Sequence, residues 1–292
     1  MPRVRQQWQP RQRSAEHFEP EPMAEHGREY LMIRPEFFEV VYAINPWMNP
    51  SVPASSELAV RQWIRLRSIV EDIGHTVHCA DPVPGLPDLV YTANAGFVVN
   101  GKALVARFAH AERAPEEDLH AAWFQRLGLD VQRATQVNEG EGDFQFAGSR
   151  LVAAYGQRTS RAAVDEVAAW SGLPVVGLEL VDPRFYHLDT ALAVLAPADD
   201  AADIAYYPPA FSPGSRSALR ELYPDAIIAT AAEAGVLGLN VLADGRHVVM
   251  TDAAPTLAAQ FRERGYDVIG VEFSELLKGG GSVKCCMLEL RR

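Results

Sequence analysis

The sequence predicts an α/β protein built as a ring of five repeated units, and three observations carry that prediction. Short β-rich segments recur in pairs joined by turn residues, and each pair is followed by a helical pattern. The residues that open the leading segments, Asn94, Asp143, Asp189, Asn240 and Cys285, stand 45 to 51 positions apart. A unit of that length cannot bury its own apolar face, so the units must pack on one another. A linear sheet with incidental spacing is the alternative for the same local elements.

Taken in order, residues 1–28 mix Arg, Gln, Pro and Glu with few apolar side chains and read as a flexible N-terminal extension, leaving 29–292 as a single domain. Phe37 to Ile44 reads as a strand without a preceding partner. The first helix is expected over Ser56 to Ile73, where Val60, Trp63, Ile64, Leu66, Ile69, Val70 and Ile73 recur mostly at intervals of three and four. Gly96 to Val99 and Ala103 to Ala106 flank Asn100-Gly101, a turn that needs positive φ. Glu116 to Leu127 opens with acids that suit a helix N-terminus and stops at Gly128.

Further pairs surround Gly148-Ser149 and Asp199-Asp200, and Leu239 to Leu242 faces His247 to Met250 across Asp244-Gly245. Helices follow at Ser160 to Trp170, Ser215 to Leu222 and Pro255 to Arg264, the last with proline in its first turn. The final strand, Cys286 to Leu290, lacks a C-terminal partner, so the simplest closure pairs it with Phe37 to Ile44. In the resulting ring the equivalent strand ends meet at one mouth.

Composition narrows the function. The 292 residues are 48% hydrophobic, enough for a sizeable core, and a net charge of −11 opposes nucleic acid and anionic membranes while favouring a cationic small molecule. No run has the length and hydropathy of a membrane span or signal peptide. With Cys79, Cys285 and Cys286 as the only cysteines and no CxxC, neither a disulfide framework nor a zinc cage is expected, and a reducing cytoplasm fits.

The convergent positions are amides, carboxylates, a histidine and a cysteine. Cys285 follows Gly279-Gly280-Gly281-Ser282-Val283-Lys284, a run whose glycines allow close backbone approach and present a thiol to a pocket. Its proton-transfer partner would be His187 at the matching end of another unit. Glu139, Glu141 and Asp143 form an acidic run that by itself reads equally as a solvated loop. Cys79 and Cys286 read as small core residues. With one suitably placed histidine, a metal site is the weaker reading.

The segments Ile44-Asn45-Pro46-Trp47-Met48, Pro87 to Gly96, Glu139 to Asp143, Asp182 to Asp189 and Gly279 to Cys285 resemble, in order along residues 30–292, the guanidine-modifying enzymes of the pentein fold, the five-bladed α/β-propeller. The resemblance implies a catalytic domain in which Cys285 attacks the guanidinium carbon and His187 acts as general acid and base. It implies Glu141 as a further catalytic carboxylate, Glu141, Asp143 and Asp189 for guanidinium binding, Asp88 as a substrate contact, and Arg113 and Arg158 for the substrate carboxylate. No metal or organic cofactor is implied. The expected partner is a small guanidino amino acid, with a homo-oligomer left open.

Two departures bear on the substrate. Asn94, preceded by Ala93, stands where methylarginine hydrolases and arginine deiminases carry an acid, and the glutamate motif is altered to Gly140-Glu141-Gly142-Asp143. Asn45 with Asn94, and Glu141 with Asp143, are more similar to arginine dihydrolases, which form ornithine, carbon dioxide and ammonia. An amide both accepts from a guanidinium and donates to a ureido oxygen. The alternatives are dimethylarginine dimethylaminohydrolase, then arginine deiminase or amidinotransferase, and a non-catalytic ribosome-binding factor on the same scaffold.

Overall fold

The computed structural model describes residues 27–197 and 202–292. Most of the N-terminal extension, and the turn at Asp199-Asp200, lie outside the described residues.

Along the chain the first unit holds β1 (Glu29–Ile33), α1 (Ser56–Asp72) and β2 (Thr76–Ala80); the second holds β3 (Gly96–Val99), β4 (Lys102–Val105), α2 (Glu116–Arg126) and β5 (Asp130–Arg133). The third comprises β6 (Phe144–Phe146), β7 (Leu151–Tyr155), α3 (Arg161–Ser171) and β8 (Val175–Glu179). A short α4 (Leu188–Ala191) leads into the fourth, β9 (Leu192–Ala196), β10 (Asp203–Tyr206), α5 (Pro213–Leu222) and β11 (Ile227–Ile228). After α6 (Ala231–Ala234) the fifth has β12 (Leu242–Ala243), β13 (His247–Thr251), α7 (Pro255–Glu263) and β14 (Asp267–Val271), followed by α8 (Ser274–Leu277) and β15 (Leu288–Glu289).

These strands form five three-stranded sheets, the blades of an α/β-propeller. In each, the middle strand pairs antiparallel with one neighbour and parallel with the strand that returns after the helix. The parallel third strand was not legible in the sequence. β5 reads Asp-Val-Gln-Arg and sits at a sheet edge with mixed exposure, so it lacks the apolar run of a central strand.

Local chemistry explains the joints. Asn100 and Gly101 take φ of 51° and 70°, the left-handed pair that a two-residue hairpin demands. Ser55, Ser160 and Ser212 cap α1, α3 and α5 with their side-chain oxygens.

The ring closes as expected in principle and through a different strand. The segment 37–44 is irregular; β1 instead pairs antiparallel with β15, Leu31 opposite Leu288. Leu31, Met32 and Ile33 are all buried, as in a strand covered on both faces. The carbonyls of Phe38 and Ile44 accept from Ser56 Oγ and Arg158 Nη2. Two smaller expectations also change: Leu239 to Val241 form a turn ahead of a two-residue β12, and Cys79 is exposed on β2, whereas Cys286 is core. No helix of the described residues is long and apolar enough to cross a membrane.

Candidate active site

The tracked positions Asn94, Asp143, Asp189, Asn240 and Cys285 all lie just ahead of the antiparallel partner strands, and all are buried. Three of them touch directly. Asn240 donates from Nδ2 to Cys285 Sγ at 3.2 Å and to the Asp189 carbonyl at 3.1 Å, while Cys285 N–H donates to Asn240 Oδ1 at 3.1 Å. Sγ lies 3.5 Å from Asp189 Oδ2, and Asp189 follows His187, which is also buried, by two residues.

The glycines are needed for this convergence. A Cβ on Gly142 would stand 2.6 Å from Asn94 Nδ2 and 3.5 Å from His187 Cγ. Gly280, at φ of 92°, would bring one to 2.6 Å from the Tyr186 hydroxyl and 2.8 Å from Asn45 Nδ2.

His187 Nε2 stands 2.7 Å from Glu139 Oε2, which also accepts from Arg158 Nη1 at 2.7 Å. Burial would push the Glu139 carboxyl up, but the Arg158 guanidinium and His187 together hold it well below the usual carboxylate range. Asp143 Oδ1 accepts from Leu188 N–H and Oδ2 from Thr159 Oγ1; burial raises its carboxyl to about 6, with His187 opposing. This fixes the backbone next to His187 against the third blade.

The carboxylate at His187 is therefore Glu139, and the expected placement of Glu141 is corrected. Glu141 Oε1 accepts from Arg291 at 2.7 Å, and Oε2 faces Lys284 Nζ at 2.8 Å and the Glu289 N–H at 2.9 Å. Both oxygens are occupied by the chain's own donors, so Glu141 ties the third blade to the closing strand rather than facing substrate. The run Glu139-Gly140-Glu141 offers two glutamates, and spacing alone could not choose between them.

Arg113 and Arg158 are buried but already engaged. Arg113 binds Glu116 in a fork, at 3.0 and 2.8 Å, and donates to Asn94 Oδ1 at 2.8 Å and the Asp88 carbonyl at 3.3 Å. Arg158 holds Glu139 and the Ile44 carbonyl and lies 4.7 Å from the Tyr186 ring centroid. An incoming carboxylate has to compete with Glu116 for the first and with Glu139 for the second. Asn94 donates from Nδ2 to the Glu139 carbonyl, so its amide orientation is fixed at both ends. Half-buried Asn45 accepts from the Trp47 and Met48 N–H groups and donates to the Gly279 carbonyl.

What remains open is acidic. Asp88 Oδ2 accepts from the Tyr42 hydroxyl at 3.0 Å, while Asp88 Oδ1 and Asp189 Oδ1 are buried without a hydrogen-bond partner among the described residues. Burial raises both carboxyls, Asp189 to about 7 even with Lys284 opposing. Burial and the neighbouring Asp189 also push the Cys285 thiol up, against donation from the Ser282 backbone and Asn240. The raised Cys285 thiol thus stands beside Asp189, a buried carboxyl raised in spite of the Lys284 charge. Among the described residues no group of three His, Cys, Asp or Glu side chains is arranged to hold a metal ion.

Comparison with known proteins agrees with this chemistry. No family model matches the chain. It is 52% identical to the N(G),N(G)-dimethylarginine dimethylaminohydrolase of Mycobacterium tuberculosis over 90% of this chain and 86% of that protein. The chain belongs to the guanidine-modifying hydrolases of the pentein fold. Within that family it is also 36% identical to the bifunctional arginine dihydrolase/ornithine cyclodeaminase ArgZ of Synechocystis, over 89% of this chain but only 37% of that longer protein. The N-terminal domain of ArgZ, solved as a cysteine-to-serine mutant bound to substrate, superposes with a TM-score of 0.86 at 34% identity, covering 91% of this chain and 98% of that domain. A dimethylarginine dimethylaminohydrolase adduct shares the fold at a TM-score of 0.72 and 19% identity, covering 90% of this chain and 99% of that one.

Sequence reasoning had left Glu139, Asn240, Tyr42 and Glu116 out of the site. Asn240 carried a signal, since it occupies the repeat position of the other four. Tyr42 and Glu116 carried none, because their contacts arise only from tertiary packing.

Proposed function

We propose that this hydrolase acts on the guanidinium of free arginine through a covalent intermediate on Cys285 and releases ornithine, carbon dioxide and ammonia. The supporting observation is the pair of buried carboxyl oxygens, Asp88 Oδ1 and Asp189 Oδ1, that have no hydrogen-bond partner among the described residues. An unsatisfied buried acceptor is costly, and a planar cation rich in N–H donors relieves it. Arginine offers donors on every guanidinium nitrogen, whereas asymmetric dimethylation strips both from one of them.

The cation also answers the raised thiol. Positive charge arriving beside Cys285 opposes the burial and the Asp189 repulsion, and so favours thiolate when substrate is bound. Sγ then attacks the guanidinium carbon, forming the S–C bond. His187, held by Glu139, gives a proton to the departing nitrogen, the C–N bond breaks and ammonia leaves. Water adds to the thiouronium carbon, His187 takes its proton, and the C–S bond breaks to give citrulline.

A second passage through the ureido group gives ornithine, so arginine and two waters become ornithine, carbon dioxide and two ammonia. Asn94 suits both passages: each end of its amide makes one recorded bond and keeps one further N–H or lone pair.

A second reading, release of dimethylamine from asymmetric dimethylarginine, is favoured by the higher identity to the mycobacterial enzyme. Purified protein is to be given arginine and asymmetric dimethylarginine separately, and ornithine, citrulline and dimethylamine resolved. Ornithine from arginine is the expected product. Citrulline as the end product, or dimethylamine release outpacing arginine turnover, overturns the proposal.

A further inference from the structure

We infer that Ser282 is an additional catalytic residue, its hydroxyl accepting an N–H from the guanidinium nitrogen nearest Cys285 and so holding the carbon against the sulfur. The inference rests on the reading of this cluster as a guanidinium-hydrolysing centre. Ser282 is 1% exposed, and its Oγ is buried without a hydrogen-bond partner among the described residues, as are the open oxygens of Asp88 and Asp189. Ser282 stands three residues before Cys285, and its backbone favours the thiolate there, which roots the residue beside the reacting atom.

Both flanks hold it there. On one side Gly279 and Gly281 pack so tightly on Tyr91 that added Cβ atoms would stand 2.2 Å from its hydroxyl and 2.3 Å from its ring, and on the other Val283 is fully buried in the core. Other serine hydroxyls near backbone turns in this protein are engaged: Ser55, Ser160 and Ser212 cap helices, and Ser215 donates from its backbone to Ser212 while its own oxygen accepts from Glu179. A serine whose hydroxyl binds nothing among the described residues contributes no more to folding than alanine would, and a ligand gives its polarity a use. Like Asp88 and Asp189 it supplies a buried oxygen that, among the described residues, is free to accept from a cation rich in N–H donors.

The test is Ser282→Ala in the full chain, assayed on whichever of arginine and asymmetric dimethylarginine the wild type hydrolyses. Loss of one hydrogen bond to a charged substrate predicts a fall of about 10- to 100-fold in kcat/KM. The melting temperature without substrate should be no lower than wild type, and alkylation of Cys285 in the free protein should keep its rate, because the backbone donor remains. A kcat/KM within about twofold of wild type overturns the inference. So does a variant that melts several degrees lower or fails to fold, since the hydroxyl would then have had a partner in the protein. Should the wild type release dimethylamine and no ornithine, the arginine reading falls while Ser282 is still judged by the same ratio.

Discussion

Replacing Glu139 with Gln removes the one negative charge shared by two buried partners. Glu139 is fully buried, 2.7 Å from both Arg158 Nη1 and His187 Nε2, and the substitution leaves the Arg158 guanidinium without its counter-charge. Breaking a buried pair from one side costs about 3–5 kcal/mol. At about 2–4 °C per kcal/mol for a chain near this size, Glu139→Gln should melt about 6–20 °C lower near neutral pH. The pH dependence follows from the direction of the shift. Folding depresses the Glu139 pKa below its ordinary 4.5, so its contribution is complete above that value and is lost as pH falls through the lower folded value. The gap between wild type and variant should be widest near neutrality and close in acid. Turnover should fall by at least about 100-fold, because His187 loses the group that orients it. Calorimetry from pH 3 to 8 with parallel steady-state kinetics tests both. A variant that melts within about 1 °C of wild type at pH 7 and keeps its kcat would refute the pairing and the electrostatics derived from it.

Glu141→Gln provides the contrast. It removes the counter-charge of Lys284 at the ring closure and one of the two carboxylates of Arg291, which keeps Glu289, so the melting temperature should drop while the pH–rate profile keeps its shape; collapse of turnover at unchanged stability would restore Glu141 to a direct catalytic role. Asp189→Asn should do the reverse for stability. Folding raises that carboxyl from 3.8 to about 7, so its stabilising effect is present below the unfolded value and lost as pH rises through the folded one. The variant should therefore gain thermal stability over wild type increasingly from pH 5 to 8 while losing turnover, and absence of any gain at pH 8 would contradict the unpaired-carboxyl argument.

The repeat was legible because the five helices and most of the antiparallel pairs rest on local signals: amphipathic spacing, serine caps, Asn-Gly and Asp-Gly turns. Position in the repeat also located Asn94, Asp143, Asp189 and Cys285 without reference to any contact. The closing strand was misplaced because Glu29–Ile33 is short, whereas 37–44 is a longer apolar run that nevertheless stays irregular, its Phe38 and Ile44 carbonyls accepting from side-chain donors. Glu139 and Glu141 could not be told apart because they sit two residues apart on a 3-10 turn and point to different blades. Choosing between them needed the positions of His187 and Arg291, which are set by chain segments far away in sequence.

On the proposed mechanism Cys285 forms the covalent bond to the substrate carbon. Acid quenching during turnover of arginine, followed by peptide mass spectrometry, should find the guanidino-derived adduct on the peptide carrying Cys285 and on no peptide of the Cys285→Ser variant, which should be folded and inactive. Continued turnover by that variant, or an adduct on Cys79 or Cys286 in its place, would contradict the account.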